Sequence, residues 1–132
     1  MKYQGSKRRI AKFIIPILLK DVSKDVIFYD VGCGGANLID KVPLSNRVAV
    51  DKDEYLIEAL KVIRDNPEKL PKDNKEFTED DYKDIKNNKD KYPKWLVGYV
   101  GYALSWGLNG LVGLEKIIPQ IEITLMSRIE ML

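Results

Sequence analysis

Residues 28–40 read FYDVGCGGANLID, an apolar run followed by an acid and then by three glycines within four positions. Asp30, Gly32, Gly34 and Gly35 therefore lie where a buried strand is expected to turn into a helix. Glycines at such a point let the backbone turn tightly and approach a ligand that a side chain would block. The same pattern also fits a turn that is purely structural, because glycine motifs alone occur in many unrelated proteins.

A second short strand is predicted about twenty residues later, where the chain reads RVAVD and ends at Asp51. In nucleotide-binding α/β folds, an acid at the end of the second strand accepts hydrogen bonds from the ribose hydroxyls of the ligand. The glycine loop and the spaced acid together favour a site for an adenosine-containing cofactor over a structural turn.

The composition is that of a single soluble domain: the chain has 132 residues, of which 45% are hydrophobic and 32% charged, with a net charge of +2. Histidine is absent and Cys33 is the only cysteine. A histidine base, a zinc site and an internal disulfide are therefore excluded, and a reducing, cytoplasmic compartment is expected. The N-terminus forms a local basic patch, since five cations precede the first acid: Lys2, Lys7, Arg8, Arg9 and Lys12.

Hydrophobic periodicity predicts alternating helices and strands, and therefore a parallel, three-layer α/β arrangement. Ser6 is expected to cap a first helix that Pro16 kinks, and the apolar run ending at Val31 is expected to be a strand buried on both faces. Thr78 and Asp81 predict a capping box. The remaining predicted elements are a short helix or turn at 37–41, a strand at 47–50, helices at 54–64, 78–88 and 94–104, a helical turn at 114–119 and a strand at 121–125.

The uncharged segment 95–114 is long enough to span a bilayer, but its five glycines lower its hydrophobicity. We interpret it as a buried, glycine-rich helix and loop, and we expect no membrane association. No secretory leader is recognisable at the N-terminus, because Lys12, Pro16 and Lys20 interrupt the apolar stretch.

Four sequence blocks occur in this order along the chain: MKYQGSKRRIAKFIIPIL, YDVGCGGANLI, VAVDKDEYLIEAL and TEDDYKDIKNNKDKYPKWLVGYVGYALSWG. Together they resemble the front part of phage-type DNA adenine-N6 methyltransferases of the DNA adenine methylase class, over residues 1 to about 113. The resemblance implies a partial Rossmann-like fold and an S-adenosylmethionine site. In that site Tyr3 and Lys7 help bind the cofactor, the loop 30–35, together with Asn37, wraps its methionine part, and Asp51 contacts it.

The chain departs from the family pattern at two places. Val31 and Gly32 stand where the family has proline and phenylalanine. Without that phenylalanine, we expect looser packing around the methionine part of the cofactor. The family's D-P-P-Y motif, which binds the flipped adenine, has no counterpart, because the six prolines are all isolated. We therefore expect one truncated domain, non-catalytic alone, with residues 1–65 for the cofactor, 66–113 as a remnant of the target-recognition region and 114–132 as a final helix and strand.

Several functions stay open at this level. The chain is interpreted first as a cofactor-binding domain with DNA and a protein as partners. It could be one half of a split methyltransferase, in which a free sheet edge docks the partner. It could also be a phage or mobile-element inhibitor of a host defence complex, such as a CRISPR nuclease or a restriction system. A complete enzyme and a decayed fragment are less favoured.

Overall fold

A three-stranded parallel sheet forms the centre of the molecule. The computed structural model of the chain describes residues 5–71, 76–104 and 122–125. The strands are β1 (Phe28–Val31), β2 (Arg47–Asp51) and β3 (Glu122–Leu125), in the order β1-β2-β3. Asp30 pairs with Ala49, which in turn pairs with Ile123. The predicted α/β class with a parallel sheet and flanking helices is confirmed.

The helices do not alternate regularly with the strands, which differs from the sequence prediction: along the described residues one precedes β1, only a 3-10 turn separates β1 from β2, and three lie between β2 and β3. The helices are α1 (Ala11–Leu18), α2 (Glu54–Asp65), α3 (Glu79–Asn87) and α4 (Lys94–Tyr99), and α4 continues as a π-helical turn over Val100–Leu104. Short 3-10 turns occupy Ile39–Lys41, Pro67–Lys69 and Lys89–Lys91. Among the described helices, none is long and apolar enough to cross a bilayer.

Helix α2 is specified by its own sequence. Asp53 caps it, because its side chain accepts hydrogen bonds from the backbone N–H groups of Tyr55 (2.9 Å) and Leu56 (3.2 Å). The apolar face predicted for this helix is fully buried, and its members are Leu56, Ile57, Leu60 and Ile63. These side chains pack with Ala49 of β2 and Ile123 of β3, so α2 covers one face of the sheet.

Helices α3 and α4 pack outside α2 and form a second apolar cluster. The predicted capping box of α3 is confirmed: the Asp81 N–H donates to Thr78 Oγ1, and the Thr78 N–H donates to Asp81 Oδ2. Helix α4 lies directly against α2, since a β-carbon added to Gly98 would stand 2.0 Å from the carbonyl oxygen of Tyr55. The glycine is therefore required for this close helix contact.

Strand β1 differs from its prediction. Within the described sheet it pairs with β2 on one side only, and Tyr29 and Val31 are 43% and 62% exposed. The expectation that it is buried on both faces is therefore wrong. Its continuous apolar run is typical of a central strand, but whether a neighbour covers a strand depends on distant parts of the chain.

The start of α1 also differs from its prediction. Ser6 does not cap the helix; its hydroxyl accepts a hydrogen bond from the Arg8 N–H, and α1 begins only at Ala11. Ala11 and Ile15 are the buried residues of α1, whereas Phe13 and Ile17 are 62% and 75% exposed. Pro16 lies inside the helix, which ends two residues later. The helical turn predicted at 114–119 lies outside the described residues.

Candidate functional site

The glycine loop begins at the carboxyl end of the sheet and is held against β2. The N–H groups of Gly32 and Cys33 both donate to the carbonyl oxygen of Val50, at 2.8 Å each. Gly32 and Gly34 have φ angles of +80° and +53°, which L side chains rarely adopt. A β-carbon at Gly32 would meet no atom within 4 Å, so the loop leaves open space on that side.

Asp51 connects the two halves of the predicted site. Its carboxylate accepts from the Gly34 N–H through Oδ2 (3.0 Å) and from the Asp53 N–H through Oδ1 (3.1 Å). The side chain is buried at the end of β2. The structure thus brings together the glycine loop and the spaced acid that the sequence singled out, and it joins them by a direct hydrogen bond.

Asp30 is the most unusual side chain of this region. It is only 7% exposed, and its carboxyl is hydrogen-bonded to the backbone of Ile39. Its second oxygen, Oδ2, is buried and has no hydrogen-bond partner among the described residues. Burial raises the pKa of Asp30 above its ordinary value of 3.8; the positive charge of Lys7 opposes this shift, and the negative charge of Asp51 adds to it.

Lys7 and Cys33 both interact electrostatically with Asp30. Burial raises the pKa of the Cys33 thiol to about 12, and the charges of Asp51 and Asp30 add to that effect, while Lys7 opposes it. Lys7 is exposed, lies in the turn before α1, and its charge acts on both Asp30 and Cys33. The chain therefore places one exposed cation near the buried Asp30 carboxyl and the buried Cys33 thiol.

The remaining residues predicted to contact the cofactor are Gly35, Asn37 and Tyr3. Gly35 and Asn37 are buried in the loop that follows Gly34. Tyr3, which the resemblance implies as a cofactor contact, lies outside the described residues. Within the described parts of the chain, the candidate site therefore consists of the loop, the two acids and Lys7.

Two residues that support this site were not recognised from the sequence. The buried Arg47 donates from Nη1 to the carbonyl oxygens of Ile39 (3.2 Å) and Val42 (3.2 Å), and so fixes the 3-10 turn that follows the loop. Asp53 caps α2 and also accepts from the Tyr102 hydroxyl. A charged residue opening a buried strand, and an aspartate just before a helix, are the signals that could have identified them.

Comparison with known proteins identifies the family of the chain. Residues 3–95 match the family model of the D12 class N6 adenine-specific DNA methyltransferases, and the matched stretch includes every predicted cofactor residue. Because the match covers well over half of the 132 residues, the chain belongs to this family. No curated protein and no solved structure matches the chain significantly.

Proposed function

We propose that this domain binds S-adenosylmethionine at the carboxyl edge of its sheet. The observation that carries the proposal is the unpartnered Oδ2 atom of Asp30, a buried carboxylate oxygen at the start of the glycine loop. A buried carboxylate without a full set of partners costs free energy of folding. A ligand that brings a positive charge to this place would offset that cost, and the amino acid part of S-adenosylmethionine carries an ammonium group.

The other residues fit the remaining parts of the cofactor. Lys7 suits the carboxylate of the methionine part, because it is an exposed cation whose charge reaches Asp30. Asp51 suits the ribose, since each of its oxygens accepts one backbone hydrogen bond and an ionised carboxylate has about four acceptor positions. The open space beside Gly32 suits close approach of the ligand to the backbone. When bound, the cofactor supplies a methyl group on a sulfonium centre.

We further propose that these 132 residues do not transfer the methyl group to adenine unaided. An exocyclic amine must be held by oriented acceptors outside the duplex before it can react. The family provides them in its D-P-P-Y motif, and the sequence contains no two adjacent prolines. In an assay with tritiated S-adenosylmethionine and double-stranded DNA, the expected result is no label in the DNA above a protein-free blank.

Calorimetric titration with S-adenosylmethionine tests the cofactor site. Asp30→Asn keeps the shape of the side chain but removes its charge, so we expect an affinity at least about tenfold lower, as for loss of a charged hydrogen bond. Lys7→Gln should weaken binding in the same direction. Asp25→Asn and Lys24→Gln are matched controls, because both residues are exposed. Absence of binding by the unmodified chain, or unchanged affinity in Asp30→Asn, would refute the proposal.

Asp51→Ala gives a second test, in which both the affinity for the cofactor and the thermal stability are expected to fall. This change removes an acceptor from both the Gly34 N–H and the Asp53 N–H, so we expect it to lower thermal stability as well as affinity. The melting temperature of each variant therefore has to be measured beside its affinity. A loss of affinity in Asp30→Asn without loss of stability separates a ligand contact from a loop defect.

A docked protein partner is the second function we propose, and the exposed edge of the sheet favours it. Tyr29 and Val31 are exposed on β1, which has a neighbour on one side only within the described sheet. An open strand edge with apolar side chains is a template for an added strand. The partner is either the catalytic half of a split methyltransferase or a host defence complex that the chain inhibits.

The two kinds of partner give opposite results with one variant. A split enzyme transfers methyl groups only when both chains are present, and Asp30→Asn should abolish that activity. An inhibitor of a nuclease needs no cofactor, so its effect should survive Asp30→Asn. In both cases Val31→Lys should reduce binding of the partner, since it places a charge on the open edge.

A further inference from the structure

A cavity of about 310 Å³ lies among α2, α3 and α4, away from the glycine loop. Ile85, Val97 and Val100 form its apolar lining, and all three are buried. None of the described cofactor residues lines it; the nearest connection is Asp53, two positions after Asp51. The cavity is therefore separate from the proposed cofactor site and has not been assigned a role.

Aromatic rings and lysines give the cavity its chemical character. Tyr55, Tyr82 and Tyr102 line it from three different elements, and Lys86 and Lys89 line it at the end of α3 and in the turn that follows. The Lys89 Nζ atom lies 5.3 Å from the centre of the Tyr55 ring. Planar rings beside ammonium groups are the combination that binds a base together with its phosphate.

The charges of the lining residues favour an anion. Neither Lys86 nor Lys89 forms an ion pair with another described residue, whereas Lys83 and Lys94 do. Asp53 is the acid of the cavity, but its carboxylate already accepts from the Tyr55 and Leu56 N–H groups and from the Tyr102 hydroxyl. The two ammonium groups, which form no ion pair with another described residue, are thus the charges available to a ligand.

The π-helical turn that follows α4 forms part of the cavity wall. Gly101 lines the cavity, and a β-carbon there would meet no atom within 4 Å. Val100, Gly101 and Tyr102 belong to the π-helical turn, a wide helical geometry that occurs frequently at functional sites.

We propose that the cavity binds one nucleotide unit, with its base on the tyrosine rings and its phosphate at Lys86 and Lys89. A volume of about 310 Å³ is at the small end of ligand pockets, which suits a single nucleotide. The unit is either a free mononucleotide or one residue of a single-stranded DNA. This site would act beside the cofactor site and does not depend on it.

Calorimetric titration with thymidine monophosphate and, separately, with an oligothymidylate tests the proposal. Thymine probes are chosen because an adenine nucleotide could also enter the cofactor site. Gly101→Leu, which adds a large side chain to the cavity wall, and the pair Lys86→Gln and Lys89→Gln, which removes the two ammonium charges, should each weaken binding about fivefold or more. Lys91→Gln and Gly101→Ala are the matched controls, and Asp30→Asn should leave thymine binding unchanged.

The outcomes are distinct. Binding of thymidine monophosphate that the cavity variants weaken identifies a free nucleotide, and binding of the oligothymidylate alone, weakened by the same variants, identifies a DNA strand. No binding of either probe overturns the proposal, as does binding that Lys86→Gln and Lys89→Gln leave unchanged. Failure of S-adenosylmethionine titration has no bearing on this result, because the probes lack that cofactor's methionine part.

Discussion

At the scale of one residue, Asp30 illustrates the cost in folding stability of the proposed cofactor site. Its buried carboxyl has one unpartnered oxygen, and burial raises its pKa. A raised pKa means that the folded state holds the proton more tightly than the unfolded state does. The stability from this group is therefore fully present below 3.8, the ordinary pKa, and is lost as the pH rises through the higher pKa of the folded state.

This gives a prediction for the chain without ligand. Asp30→Asn has no charge to bury, so its stability relative to the unmodified chain should be greatest at neutral pH and should shrink as the pH falls toward 3.8. Urea unfolding of both proteins between pH 4 and pH 8 measures this difference. Asp25→Asn is the control, as an exposed aspartate. A difference that does not change with pH would contradict the raised pKa.

Cys33 gives a second prediction at this scale. The thiol is 7% exposed and its pKa is about 12, so very little of the reactive thiolate is present at pH 8. We expect iodoacetamide to label the native chain far more slowly than the chain unfolded in urea. Mass spectrometry over time measures both rates. Equal rates in the two states would show that the loop opens readily and does not shield the thiol.

At the scale of elements, one helix contact links the cofactor half to the cavity. Gly98→Ala would place a methyl group 2.0 Å from the Tyr55 carbonyl oxygen, so α4 would have to move away from α2. We expect a loss of about 1–3 kcal/mol in the free energy of unfolding, as for other overpacked contacts. Gly101→Ala, three positions along, meets no atom and should be neutral or stabilising by up to about 1 kcal/mol. Urea titration compares them, and equal stabilities would contradict this helix contact.

The elements that could be predicted from sequence are those specified by neighbouring residues. Helix α2 has its apolar spacing, and α3 has both halves of its capping box, so each was identified correctly. Strand β1 was expected to be covered on both faces, because an apolar run does not reveal which strands lie beside it. The first helix was predicted to begin too early in the chain, because the Ser6 hydroxyl accepts a hydrogen bond from the Arg8 N–H and does not cap the helix.

The candidate site likewise has some features that could be predicted from the sequence and others that could not. The glycine loop and Asp51 were recognisable because their spacing along the chain reflects the strand-to-helix turn and the next strand. Their direct contact, Gly34 to Asp51, and the orphaned oxygen of Asp30 depend on how β1 and β2 are placed side by side. The cavity was not predictable at all, because α4 reaches α2 across about forty residues, as the Lys94–Glu54 ion pair illustrates.

At the scale of the whole molecule, the central strand of the described sheet and the strand β1 at its edge differ sharply in exposure. Strand β2 is buried at all five positions, whereas β1 exposes Tyr29 and Val31. Helix α1 adds Phe13 and Ile17 to the exposed apolar side chains of the N-terminal part. Exposed apolar surface on this scale marks a place where another protein binds. It supports the proposal that the domain works together with a partner.

The same surface predicts how the purified chain behaves without its partner. We expect self-association that increases with protein concentration, because apolar side chains and an open strand edge are exposed together. Ile17→Lys and Val31→Lys should each reduce it and change the free energy of unfolding by no more than about 0.5 kcal/mol, as for other surface substitutions. Asn87→Lys adds the same charge at an exposed polar position and should leave association unchanged. Sedimentation velocity at several concentrations distinguishes the four proteins; a chain that stays monomeric throughout, or that Asn87→Lys disperses equally well, would contradict a specific docking role for α1 and β1.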